Sequence, residues 1–132
     1  MPDVVLLSPD GPHNDDYTCQ VAAAFSEAVR VLNHATLSHA GVTCPSTVHD
    51  LLGAIGHGTA GLDQLLRQLS QVLRRMLAST QLGDDHGDPL ERVDNALSDL
   101  TAARAAARIL AARLDSAFNA TADLHMVEGA ED

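Results

Sequence analysis

In Leu62-Asp63-Gln64-Leu65-Leu66-Arg67-Gln68-Leu69-Ser70-Gln71-Val72-Leu73-Arg74-Arg75-Met76-Leu77, apolar side chains recur at steps of three and four, and Arg67, Gln71, Arg74 and Arg75 fall off that stripe. A repeat close to 3.6 residues collects the apolar set on one side of an α-helix and the polar set on the other. Such a helix must bury its stripe against another element. The same series begins earlier, with Val48, Leu51, Leu52 and Ile55, after a start marked by Pro45 at a first helical position and Ser46 and Thr47 as caps.

Between the two halves lies Gly53-Ala54-Ile55-Gly56-His57-Gly58-Thr59-Ala60-Gly61. Each glycine inside a helix costs about 1 kcal/mol relative to Ala, so glycines at this density favour a kink or short break over an unbroken helix. Gly53, Gly56 and Ala60 also share one face, which would let a neighbouring backbone come close.

Downstream, Gln81 to Gly87 reads as a polar loop, and Asp88-Pro89-Leu90-Glu91 as a capping box with Pro at the first helical position. A long Ala-rich helix follows to about Ala122, its stripe running through Val93, Leu97, Leu100, Ala107, Leu110, Leu114 and Ala117. Upstream, Asn14-Asp15-Asp16 caps a helix over Tyr17 to Ala40, with Val21, Phe25, Ala28 and Leu32 on one face and Gly41 as its stop.

Three domain-level segments result: a flexible N-terminal arm over 1–14, a helical bundle domain over 15–127 and an acidic disordered tail over 128–132. The expected fold is all-α, an antiparallel helical bundle of three long helices, or four if the second breaks at Gly53–Gly61. Antiparallel packing puts Phe118, near the end of the last helix, beside Leu51 and Leu52.

Composition narrows the function. The chain has 132 residues, 18 acidic against 8 basic side chains, no Lys, and a net charge of −10. That field repels polyanions, which argues against direct binding of nucleic acid or an anionic membrane and favours a basic or apolar partner. Met1-Pro2-Asp3 followed by Val4-Val5-Leu6-Leu7 is too short and uncharged for a secretory leader, so a cytoplasmic protein with free thiols at Cys19 and Cys44 is expected.

Seven histidines raise the question of a metal, but no two stand at i and i+3 or i+4, the helical spacing that a zinc site of the H-E-x-x-H type needs. No metal site and no cofactor are expected. Cys44 sits at a helix start, where the dipole favours a thiolate, and His49 is five residues on, within conceivable reach as a base. With His57 among the glycines, these three are the candidate ligand-binding residues. Arg104 and Arg108, one turn apart, have no acidic residue at i±3 or i±4; pairing within the chain, with Glu27 or another acidic residue, is the default, and an intersubunit or ligand carboxylate the sharper alternative. Together with Asp84, Asp85 and Asp88 they are the candidate partner-binding residues.

The stretch from Ala28-Val29-Arg30-Val31-Leu32-Asn33-His34-Ala35-Thr36 through Pro45-Ser46-Thr47-Val48 to Gly61-Leu62-Asp63-Gln64-Leu65-Leu66-Arg67-Gln68-Leu69 resembles small helical proteins encoded by high-GC actinobacteria. The resemblance implies a helical fold and carries no active site.

The expectation is a non-enzymatic protein-protein interaction, regulatory or scaffold module acting as a helical homodimer. One alternative is a small-molecule or metal-binding bundle with a site near the Gly53–Gly61 bend. Another is an acidic regulator that engages the basic surface of a DNA-binding protein.

Overall fold

The computed structural model describes residues 4–128. Its elements are α1 (Asp15–Leu37), α2 (Pro45–Ala60), α3 (Leu62–Ala78) and α4 (Pro89–Ala120), with no strand among the described residues. Compactness divides the chain after Thr43. The expected tail residues 129–132 lie outside the described residues.

In the first unit, Asn14 caps α1 by accepting the Tyr17 N–H at 2.8 Å, as its position predicts. Tyr17 also ties down the residues before the helix: its hydroxyl donates to the Leu6 carbonyl and accepts from the Ser8 N–H. The helix stops at Leu37, earlier than the Gly41 stop expected. Gly41 is still the residue the turn requires, because a Cβ there would lie 2.0 Å from the Ala35 carbonyl oxygen.

In the second unit, three helices pack together: α4 lies against both α2 and α3. The pairing is antiparallel. Going forward through His49, Gly56, Asp63 and Leu73, the α4 neighbours run backward through Phe118, Leu114, Arg104 and Val93. Phe118 therefore sits at the start of α2, as the antiparallel reading requires.

The break expected within Gly53–Gly61 falls at the last glycine of that window. α2 runs unbroken through Gly53, Gly56 and Gly58, and the interruption comes only at Gly61, which keeps helical dihedrals of −78° and −14°. Its N–H turns to the Gly58 carbonyl while its own carbonyl accepts from Leu65, so the path of the helix continues into α3. Close packing is the physical reason the cluster stays helical. A Cβ at Gly53 would meet the Phe118 ring at 2.9 Å and one at Gly56 would meet Leu114 Cβ at 3.4 Å, so the cost of glycine in the helix is offset by the approach of α4. The fourth helix thus arises at Gly61.

Asp88 caps α4 by accepting the Leu90 N–H at 3.0 Å, with Pro89 at the first helical position. Glu91 returns no bond to Asp88 among the described residues, so the cap is one-sided rather than the reciprocal box expected. α4 ends at Ala120.

Candidate functional site

Cys44 is the N-cap residue of α2, and its Sγ lies 3.2 Å from Ser46 Oγ and 3.3 Å from Thr47 Oγ1. Hydroxyls at that range stabilise a thiolate. Those of Ser46 and then Thr47, with the nearby backbone amides, bring the Cys44 thiol down to about 7. His49 is turned to other work: Nδ1 lies 3.0 Å from Thr121 Oγ1 and the ring stacks on Phe118. The conceivable Cys44–His49 pair is therefore not made, because each side chain is engaged by its own neighbours.

His57 is exposed on a shallow groove of about 490 Å³ between α2 and α4, with Asp115 and Phe118 also on its lining. The groove is built by Gly53, Gly56 and Ala60 facing Ala111 and Ala112. Cys44 and His49 do not line it, so the three candidate ligand-binding residues do not converge. Among the described residues, no group of three His, Cys, Asp or Glu side chains is placed to hold a metal.

Arg104 and Arg108 find their acidic partner on α3. Asp63 receives Arg104 Nε at 2.6 Å on one carboxylate oxygen and Arg108 at 3.2 Å on the other. The Asp63 carboxyl is held below the usual range, first by the Arg104 hydrogen bond and then by that of Arg108. These two arginines thus join α3 to α4. Asp84 is likewise occupied, accepting from the His86 N–H at 3.1 Å and Arg92 Nε at 2.9 Å, and Asp88 is spent as the α4 cap. Asp85 remains exposed.

The feature that individual candidate residues did not reveal is a second seam on α2 and α3. One row, through Leu52, Gly56, Thr59, Asp63, Leu66, Ser70 and Leu73, is buried or half-buried on the α4 side. A second row of alternating three- and four-residue steps lies beside it through Leu62, Leu65, Leu69, Val72 and Met76, and one heptad steps back to Ile55 and Val48. Leu65, Leu69 and Met76 are 48%, 46% and 48% exposed, while Val93 on the α4 side is 5% exposed. Among the described residues only Val93 and Ala107 are buried apolar side chains. The signal is present in the sequence as doubled apolar pairs, Leu51-Leu52, Leu65-Leu66, Val72-Leu73 and Met76-Leu77, which set two adjacent rows rather than one broad stripe.

No family model, curated protein or solved structure matches the chain. No helix among the described residues is long and apolar enough to cross a membrane.

Proposed function

We propose that the chain is a non-enzymatic protein-protein interaction module that acts as a helical homodimer. The observation that carries this reading is the apolar row from Val48 to Met76, in which Val48, Ile55, Leu65, Leu69 and Met76 are 39% to 48% exposed and Leu51, Leu62 and Val72 are half-buried. A continuous apolar row of this kind is what a helix presents to a partner helix, and leaving it in water forfeits about 25 cal/mol for each Å² of apolar surface. A cytoplasmic setting is part of the proposal, in keeping with free thiols at Cys19 and Cys44.

Native mass spectrometry of the untagged protein tests it. The expected species has twice the chain mass and no further mass. A monomer overturns the homodimer, and a non-covalent adduct lost on denaturation replaces this reading with a small-molecule-binding one centred on the His57 groove.

A further inference from the structure

We propose that the row from Val48 to Met76 is the dimer interface and that a second copy of this chain lies across it antiparallel, a proposal that rests on the homodimer reading above. The row spans 28 residue steps, about 42 Å at 1.5 Å per residue, and Gly61 keeps it continuous through helical dihedrals. Its three- and four-residue steps are those of a coiled-coil seam, with Val48, Ile55, Leu62, Leu69 and Met76 at one heptad position and Leu51, Gly58, Leu65 and Val72 at the other. The occupant is therefore a helix with a seam of matching period.

Charge selects which helix. Of the 18 acidic residues only Asp50 and Asp63 fall between Thr47 and Met76. Asp63 faces α4, held by Arg104 and Arg108, and Asp50 belongs to neither seam position. At the seam positions themselves a basic partner would find no carboxylate, and only Asp50 at their edge. A surface that must meet an identical surface, on a chain of net charge −10, has to be free of them.

The direction follows from the ends. Asp84, Asp85, Asp88 and Glu91 cluster in sequence just past the Met76 end, and a parallel pair would bring two such clusters together. An antiparallel pair sets them apart by about the seam length, several times the ~8 Å screening length at physiological salt. Pairing the two heptad positions with one another then puts Met76 opposite Leu51, Val72 opposite Ile55 and Leu69 opposite Gly58 of the second copy, with the two-fold axis between Leu62 and Leu65. Arg74 and Arg75 come within about a helical turn of the second copy's Asp50.

Leu69→Glu and a cysteine pair test the interface, with wild type as reference. Light scattering is expected to show a dimeric wild type and a monomeric Leu69→Glu with unchanged helical circular dichroism, its dimer dissociation constant raised about 100-fold or more. In a Cys19→Ser, Cys44→Ser background, an oxidised mixture of Leu51→Cys and Met76→Cys chains is expected to give a cross-linked dimer of one chain of each. A dimeric Leu69→Glu moves the interface elsewhere and overturns this proposal while the homodimer reading survives. Cross-linking of Met76→Cys alone, as efficient as in the mixture, overturns the antiparallel direction. A monomeric wild type overturns both readings. Should Leu69→Glu lose its helical signal, the cysteine mixture decides, since a mixture without cross-links overturns the proposal.

Discussion

The imidazole of His49 lies nearly flat on the ring of Phe118, with centroids 3.9 Å apart and planes inclined by 16°. This stack closes the end of the α2–α4 pair, and Gly53 leaves the space that the Phe118 ring occupies. Two glycines on the same helix should therefore respond oppositely to alanine. A methyl group at Gly58 would have nothing of its own chain within 4 Å, so in the Leu69→Glu background, where no second copy faces it, Gly58→Ala should gain up to about 1 kcal/mol from helix propensity. Gly53→Ala drives a methyl to 2.9 Å from Phe118 and displaces the stack, for a net loss of about 1 kcal/mol. Urea unfolding of both variants measures the difference, and equal gains would mean that the ring moves aside freely.

Asp63 joins α3 to α4 only while it is ionised. Its folded-state pKa is depressed, chiefly by the Arg104 hydrogen bond, so its contribution is present above the unfolded carboxyl value and lost as pH falls through the folded one. Wild type should melt higher than Asp63→Asn by a constant margin from pH 7 down to about 5, and the margin should close below about pH 4. Thermal melts of the two proteins across that range check the sign. A margin unchanged at pH 3 would show that packing, not the ion pair, separates them.

Much of this arrangement is legible in the residues. Pro45 and Asp88-Pro89 mark their helix starts, and the position of Phe118 follows from running one helix back along the other. The small face of Gly53 and Gly56 announces a close neighbour and the glycine count a break, but which glycine carries the break is set by packing, which holds Gly53 and Gly56 within α2 and leaves the interruption to Gly61. Asp63 shows the same limit. At i and i+4 it looks like a partner for Arg67, yet it binds Arg104 and Arg108, 41 and 45 residues away, contacts that no local spacing encodes. The two apolar rows are legible as doubled apolar pairs, but which of them is covered follows only from the path of α4.

Cys44 should behave as a partly ionised thiol at neutral pH. Its alkylation rate, followed peptide by peptide in the mass spectrometer, is expected to rise through a midpoint at about 7 and level off above it. Replacing Ser46 by Ala removes the largest contribution to that shift, and Thr47→Val the next, so each should move the midpoint upward toward an ordinary thiol. A midpoint insensitive to both substitutions would assign the shift to the backbone at the helix start instead.

Thr80, just past the end of α3, carries a φ of 60°, in the left-handed region that a β-branched side chain rarely adopts. The position is the one where helices commonly place glycine, and the Thr80 N–H already turns back to the Leu77 carbonyl. Thr80→Gly removes the clash of Cβ with its own backbone at some cost in chain entropy, so a net gain of about 1 kcal/mol is expected. Thr80→Ala keeps a Cβ and should recover only part of that gain. Chemical denaturation of the two variants orders them, and a Thr80→Gly less stable than Thr80→Ala would mean that the chain leaves α3 by a different turn.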